Sequence, residues 1–279
     1  MTDQQGSTDT TSWYEQELAT ERGYVAKLYE RLDGLRDEKQ EQLKRIQAQG
    51  LQGSFQNQSE RDSFASLYQD RINQLNAVDD RLVFGRLDTE DDVRRHIGRI
   101  GLSDDERARL LVDWRAPEAA PFYQATAAKS QGVARRRHIM MTGRDVESFE
   151  DDVLNTGDAS EASQTLLSAV SAPRTGLMGD IVATIQREQD EIIRDEMRGV
   201  LVVQGGPGTG KTAVALHRAA YLLYTHRERL AKNGVLLVGP SEAFMNYIDQ
   251  VLPSLGETGV VMSSVGNLYP GIEAAPELD

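Results

Sequence analysis

The stretch GGPGTGKT, residues 205–212, constrains the fold of this chain more than any other feature. It follows the apolar, β-branched segment GVLVVQ (199–204) and precedes the helical pattern AVALHRAAYLLY. Strand, glycine-rich loop and helix is the order that a G-x-x-x-x-G-K-T phosphate-binding loop requires. The pattern therefore predicts a strand over 199–204 and an α/β fold, with the first part of a P-loop domain and its parallel, RecA-like sheet over 177–279.

Each residue type in this loop has a chemical reason. Glycines let backbone N–H groups converge on phosphates, the ammonium of Lys211 reaches the β- and γ-phosphates, and the hydroxyl of Thr212 can ligate Mg²⁺. We therefore predict a nucleotide and Mg²⁺ as ligands, with Lys211 catalytic and Thr212 on the metal. The predicted nucleotide-binding residues of the loop are Gly205, Gly206, Pro207, Gly208, Thr209, Gly210, Lys211 and Thr212.

A glutamine upstream of the loop is a candidate for base recognition. Gln189 lies in the segment IVATIQREQDEIIR (181–194) and precedes Gly205 by 16 positions. Its amide carries both a donor and an acceptor, which adenine N6 and N7 need together. Gln186 is the competing candidate, and the spacing favours Gln189.

The first third of the chain predicts a pair of long helices. Two narrow apolar stripes at helical spacing are separated by QAQGLQGSFQNQS (47–59), which has two glycines and no charge. We predict a disordered polar tail over 1–12 and an antiparallel coiled-coil hairpin over 13–95, with its tip at 50–57; two helices of an ordinary bundle are the alternative. The stripes consist of Leu18, Val25, Leu28, Leu32, Leu35, Leu43 and Ile46, and of Phe64, Leu67, Tyr68, Ile72, Leu75, Val78 and Leu82.

Residues 96–149 predict a small α+β globular module, because short β-like pieces alternate there with Gly and Pro. The module contains the basic triplet Arg135, Arg136 and Arg137, which is interpreted either as solvated side chains on a strand or as an anion or partner contact. The acidic, small-residue-rich segment 150–176 predicts a linker before the P-loop domain.

Composition narrows the class of partner. The 31 basic and 44 acidic residues give a net charge of -13, so nucleic acid is expected to bind weakly or not directly. The absence of cysteine excludes disulfides, thiolate zinc sites and a thiol nucleophile. The polar start and the lack of a long apolar run predict no membrane segment and a cytoplasmic location.

Several segments together resemble the actinobacterial HelD-type helicase-like ATPases that associate with RNA polymerase, including rifamycin-protecting relatives. The most specific are DWRAP (113–117) and TIQREQDEIIR (184–194), and the resemblance spans about 13–257. It implies the N-terminal part of a longer protein, with a polymerase-engaging hairpin, a small globular domain and the first piece of a superfamily 1 motor. The other segments that carry it are VRRHIGRIGL, LLVDWRAPEAAPFYQAT, RRRHIMMTG, MGDIVATIQREQDEIIR, GGPGTGKT and VGPSEAFMNYIDQVLPSLGE.

The resemblance also implies roles for these parts. The hairpin would enter the secondary channel of core RNA polymerase, ATP would be selected over GTP by Gln189, and the ATPase would release or recycle polymerase. Leu51 and Phe55 at the tip and Arg115 in DWRAP are the candidate partner contacts, and the protein is expected to be a monomer. Because the tip GLQGSFQN (50–57) has no Asp or Glu, we expect a wedge or anchor and no delivery of metal.

Two other functions stay open on sequence grounds. A superfamily 1 DNA helicase or translocase would use the same nucleotide motifs, although Ala213 stands where such helicases often carry arginine, and 235–257 lacks their Thr-rich, aromatic motif. An interaction module is the third possibility, since no apolar strand ending in Asp-Glu follows Thr212. We expect this chain to bind ATP with negligible hydrolysis.

Overall fold

The computed structural model describes residues 5–48, 55–154, 181–249, 251–257 and 260–269. The chain divides into two compact units, Met1–Leu167 and Ser168–Asp279. The first contains a helical hairpin and a six-stranded sheet, and the second contains the glycine-rich loop, short helices and a two-stranded parallel sheet. This mixed α/β architecture confirms the predicted fold class.

The hairpin consists of α1 (Gln5–Ala48) and α2 (Phe55–Ala77). The two helices run antiparallel, since Tyr29 bonds to the carbonyl of Asp79 whereas Lys39 lies over the ring of Tyr68. Helix α1 includes residues 5–12, where the sequence predicts a disordered tail, because a helix extends at little cost once nucleated. Of the predicted tip, residues 50–54 lie outside the described residues.

The hairpin packs most tightly at its base. Leu28, Leu32 and Leu75 are fully buried in one core that also contains residues of the sheet. In the part of α2 farther from the base, Phe64 and Leu67 are 53% and 61% exposed, so their assignment to the seam between the helices is wrong. The two helices bury only a narrow stripe of apolar side chains between them, and the sheet covers further side chains at the base of the hairpin.

One arginine fixes the base of both helices to the sheet. Arg144 lies in the turn between the last two strands of the first unit. It donates to Asp33 of α1 at 2.7 Å and to Asp79, just after α2, at 2.5 Å. These hydrogen bonds hold the pKa of both carboxyl groups below the ordinary range. The guanidinium also lies over the ring of Tyr29. Both helices are therefore joined to the same turn.

The sheet of the first unit has six strands, which are β1 (Val83–Thr89), β2 (Arg94–Gly98), β3 (Leu102–Ser103), β4 (Arg109–Asp113), β5 (Val133–Thr142) and β6 (Asp145–Val153). Their order in the sheet is β3-β4-β2-β1-β5-β6. All neighbours pair antiparallel except β2 and β4, which run parallel. A short 3-10 turn (Pro117–Ala119) and α3 (Ala120–Gln124) follow β4.

The sheet is longer in sequence than the predicted module of 96–149. Residues 83–95, assigned to the hairpin from the sequence, contain β1 and the first part of β2, and β1 lies in the middle of the sheet. Its residues Val83–Leu87 are all buried, which removes the polar alternation that would mark a strand in sequence. Of the predicted linker, 150–153 lie in β6 and 155–176 lie outside the described residues.

The basic triplet lies on β5 and pairs with carboxylates of the same unit. Arg135 bonds to Asp88, Arg136 to Asp152, and Arg137 to Asp151. Arg137 is fully buried and also donates to Glu17 and Glu21 of α1. Neither solvated side chains nor a partner contact describes these residues, because β1, β6 and α1 supply counter-charges that are distant in sequence.

The second unit contains α4 (Arg187–Ile193), α5 (Lys211–Thr225), α6 (Arg227–Asn233), α7 (Glu242–Ile248) and α8 (Val251–Ser254). Two strands, β7 (Val235–Gly239) and β8 (Val260–Ser264), pair in parallel. A 3-10 turn (Val265–Asn267) follows β8. Part of a parallel α/β arrangement is therefore present.

The predicted strand over 199–204 is wrong for this structure. The segment has no strand assignment, and Val200 and Val202 are 92% and 81% exposed. An extended, apolar segment becomes a strand only where a neighbour satisfies its backbone groups, and β7 and β8 pair with each other instead. The segment thus leads into the loop without a sheet partner among the described residues.

Within the described part of the chain, no helix combines the length and the apolar character needed to cross a membrane.

Candidate functional site

The glycine-rich loop has a backbone that only its own residue types allow. Gly208 and Gly210 adopt positive φ angles of 78° and 82°, which side chains with a Cβ rarely adopt. A Cβ atom at Gly205 would lie 2.7 Å from Oγ1 of Thr209, closer than real contacts permit. The conformation therefore depends on glycine at three of its positions.

The side chains of the loop fold inward onto its carbonyl groups. Nζ of Lys211 donates to the carbonyl oxygens of Gly205 at 2.8 Å and Gly206 at 2.6 Å. Oγ1 of Thr209 donates to the carbonyl oxygen of Gly206 at 2.9 Å. The ammonium thus lies beside the backbone of the loop, where two of its carbonyl groups accept from it.

Helix α5 begins at the end of the loop. Its first intrahelical bond runs from the N–H of Val214 to the carbonyl of Gly210, so the N–H groups of Lys211, Thr212 and Ala213 have no acceptor within the helix. The positive end of the helix dipole is at the same place. These donors, the Lys211 ammonium and the Thr212 hydroxyl are the groups that a polyphosphate with a divalent cation requires, and its binding here stays a prediction.

The structure distinguishes the two candidate glutamines. Gln186 is the N-cap residue of α4, and its backbone N–H donates to Oε1 of Gln189 at 3.0 Å. Nε2 of Gln189 points the other way, 3.5 Å from the carbonyl oxygen of Thr209 in the loop. The amide of Gln189 is therefore beside the loop, whereas the backbone of Gln186 begins the helix that carries it.

The contacts between α4 and α5 include residues that the sequence analysis does not identify. Arg218 of α5 donates to carbonyl oxygens at the end of α4, and His217 is buried, with Nδ1 2.7 Å from the carbonyl oxygen of Ala213. Arg194 pairs with the buried Asp190 and lies over the ring of Tyr221. The sequence offers one indication of these contacts: His217 and Arg218 are two polar residues within the otherwise apolar helical segment AVALHRAAYLLY.

Comparison with known families agrees with this arrangement. The family described as "DNA helicase IV HelD, N-terminal domain" matches residues 18–165, more than half of the chain. The chain belongs to the HelD family. The family described as "UvrD/REP helicase N-terminal domain" matches residues 185–241 of this HelD chain, which include Gln189 and the whole loop. No curated protein matches the chain.

The two matches divide the HelD chain as its structure does. The first covers most of the hairpin and the whole sheet, and the second covers α4, the loop, α5, α6 and β7. The chain is thus a helicase-like protein of superfamily 1, which is the family predicted from its sequence. Its nucleotide motifs lie in the segment shared with UvrD and Rep helicases.

The three candidate partner contacts have different outcomes in the HelD chain. Leu51 lies outside the described residues, and Phe55 is the first residue of α2. Arg115 is buried, with Nη2 2.7 Å from Oδ2 of Asp113. Its guanidinium pairs with Asp113 within the DWRAP turn and is not exposed at the surface. The structure therefore gives no support to Arg115 as a partner contact.

The two described strands that follow Thr212 offer no carboxylate for a metal ion. Strands β7 and β8 contain no acidic residue. Among the residues that the structure describes, no three His, Asp or Glu side chains are grouped to hold a metal ion. Coordination of a metal ion by Thr212 stays a prediction.

Proposed function

We propose that this HelD chain binds ATP with Mg²⁺ at residues 205–212 and binds core RNA polymerase through its hairpin. The observation that carries the proposal is the joining, in one chain, of a HelD N-terminal domain and a UvrD-like phosphate loop. In the whole protein, nucleotide turnover would serve to release or recycle polymerase, including polymerase that carries a rifamycin. In this proposal the loop binds the nucleotide, and the hairpin binds the polymerase.

The contacts of the loop support ATP as the ligand. In the proposed complex, Lys211 and the N–H groups at the start of α5 would bind the phosphates, Thr212 would bind the cation, and Gln189 would bind the base. When bound, Mg²⁺ would neutralise phosphate charge. Glycine at 208 and 210 lets the backbone turn tightly at the start of α5, so that its N–H groups face the ligand.

The shape and fixation of the hairpin support a polymerase-inserting role. Helix α1 has 44 residues; it contacts the sheet or its turns from Tyr14 to Asp33, and residues 34–48 beyond these contacts correspond to about 22 Å at about 1.5 Å per residue. Its base is fixed to the sheet by Glu21, Arg137 and Arg144. A net charge of -13 suits a basic protein channel better than nucleic acid, because complementary fields steer association.

Co-purification tests the polymerase proposal. Tagged full chain is mixed with core polymerase at moderate salt, and Phe55→Ala is compared with the double variant Glu60→Ala and Asp62→Ala. A wedge or anchor predicts weaker binding for Phe55→Ala and near wild-type binding for the acidic variant. The reverse ranking would contradict the wedge and indicate metal delivery by the acidic residues.

A superfamily 1 DNA helicase or translocase is the second candidate function. It is favoured by the UvrD/REP match over 185–241, and disfavoured by the acidity of the chain and by the HelD match over the hairpin. Salt-sensitive binding of single-stranded DNA, with no polymerase captured under the same conditions, would support this candidate against the first.

A further inference from the structure

Arg218 makes an unusual set of contacts for a residue on the P-loop helix. Its Nη1 donates to the carbonyl oxygens of Ile192 at 2.9 Å, Ile193 at 3.3 Å and Asp195 at 2.8 Å, and its Nη2 donates to that of Glu196 at 2.7 Å. These four carbonyls end α4 and begin the following turn. The last carbonyls of a helix lack partners within it, and the fork of a guanidinium can satisfy several at once.

Helix α4 depends on such contacts for its position. It has seven residues, too few for a stable isolated helix in water, so packing against its surroundings must hold it. Ile193 is fully buried, and Arg194 lies over the ring of Tyr221 on α5. Arg218 supplies the hydrogen-bonded part of this packing, from the same helix whose first residue is Lys211.

Gln189 lies on the helix that Arg218 holds. It occupies the first turn of α4, with Nε2 3.5 Å from the carbonyl oxygen of Thr209, while Arg218 contacts the other end of α4. The loop and Arg218 belong to one continuous segment, because α5 begins at Lys211. Arg218 thereby fixes the distance between the amide of Gln189 and the loop.

Arg218 is not placed to contact phosphates. It follows Lys211 by seven residues, which corresponds to about 10 Å along the helix axis, and its guanidinium donates to carbonyl groups of α4 and the turn after it. A change at Arg218 should therefore affect the part of the ligand that Gln189 reads, and leave phosphate binding at the loop intact.

We propose that Arg218 is a positioning residue for base recognition, acting by holding α4 so that the Gln189 amide stays beside the loop. This inference rests on the proposed ATP function, since it assigns the element that makes the site selective for adenine. The consequence is that selectivity between purines depends on a residue which itself touches no nucleotide.

The test measures binding of ATP, GTP and inorganic tripolyphosphate to the full chain by competition against a fluorescent ATP analogue. Tripolyphosphate reports on the loop alone, and the GTP dissociation constant divided by the ATP dissociation constant reports on base recognition. Arg218→Ala should reduce that ratio about tenfold, the value of one to two lost hydrogen bonds, with tripolyphosphate affinity changed less than about twofold.

Four further variants sharpen the test. Arg218→Lys keeps the charge but loses the fork, so its ratio should be intermediate. Gln189→Ala should lower the ratio as Arg218→Ala does, and the double variant should lose no more than Gln189→Ala alone. Arg187→Ala is the control, because Arg187 lies on α4, is exposed, and pairs with Glu191 of the same helix.

The outcomes separate this inference from the proposed function. A wild-type chain that binds none of the three ligands refutes the ATP site and the inference with it. Wild-type selectivity that survives in Arg218→Ala, or equal losses for ATP and tripolyphosphate, overturns the positioning role while the ATP site stands. If Arg218→Ala is unfolded by circular dichroism, Arg218→Lys decides by the same ratio.

Discussion

At the scale of single residues, Glu21 is the side chain on which the junction of hairpin and sheet most depends. It is 1% exposed and accepts from Arg86 and from Arg137, the latter at 2.9 Å, while Nε2 of His96 lies 2.8 Å from its other oxygen. Burial alone would raise the pKa of Glu21, but His96, Arg86 and Arg137 together lower it to about 2. The carboxylate is therefore ionised and balances charges that have no access to water.

Glu21→Gln should destabilise the first unit by roughly 1–3 kcal/mol at pH 7, because Arg86 and Arg137 each lose one buried carboxylate partner while Asp88 and Asp151 still pair with them. Both tryptophans, Trp13 and Trp114, belong to this unit, so urea unfolding of the full chain followed by tryptophan fluorescence measures the effect. Glu30→Gln, at an exposed position of the same helix, is the matched control. Equal stability of the two variants would show that the ion pairs contribute little.

The same carboxylate gives a dependence on pH. Its pKa is about 2 in the folded chain against an ordinary 4.5, so its contribution is present above about pH 4.5 and declines as pH falls toward 2. The difference in unfolding free energy between wild type and Glu21→Gln should therefore shrink below pH 4.5. A difference that stayed constant from pH 7 to pH 3 would contradict the lowered pKa.

A glycine in β1 provides a second residue-scale prediction. A Cβ atom at Gly85 would overlap the ring of Phe122, which is itself buried. Gly85→Ala should cost about 1–3 kcal/mol through overpacking, whereas Gly101→Ala, where the nearest atom is 3.6 Å away, should change stability little. Chemical denaturation of the two variants compares them directly, and a loss confined to Gly101→Ala would disprove the packing.

At the scale of elements, the hairpin should respond to substitution very differently along its length. Leu75→Ala removes a fully buried side chain at the base and should cost about 2–5 kcal/mol. Leu67→Ala, at a 61% exposed position of the same helix, should remain within about 0.5 kcal/mol of wild type. Similar losses at both positions would mean that the seam extends along α2, as the sequence predicts.

Elements with local signals were predictable from sequence. The helical stripes, the glycine pattern of the loop and the spacing to Gln189 each depend on residues close together in the chain, and the structure contains the two helices and the loop conformation. The hairpin as a whole was also predictable, because two stripes separated by a glycine-rich, uncharged segment leave few other arrangements.

Features that depend on distant residues were not predictable. The segment 199–204 has the composition of a strand but pairs with no strand among the described residues. Phe64 and Leu67 have the spacing of a seam, but no described part of the chain buries them. The sequence alone suggests that the basic triplet beginning at Arg135 is exposed. In the structure, carboxylates of β1, β6 and α1 pair with it. Arg218 acquires its role only when α4 folds against α5.

At the scale of the whole molecule, the two family matches fall on different compact units. The HelD match lies within the first unit, and the UvrD-like match lies within the second. The core described for the first unit consists of residues of the hairpin and its sheet, and none of them belongs to the loop. The proposed binding of polymerase and of ATP should therefore be separable by single substitutions.

Lys211→Ala tests that separation most directly. The full-length chain with and without this substitution is titrated with ATP and Mg²⁺, and the same preparations are assayed for binding to core RNA polymerase. Because Lys211 supplies the ammonium of the loop, ATP binding should fall by at least about tenfold, with polymerase affinity unchanged within about twofold. Loss of both activities together, or unchanged ATP binding, would contradict the proposed division between loop and hairpin.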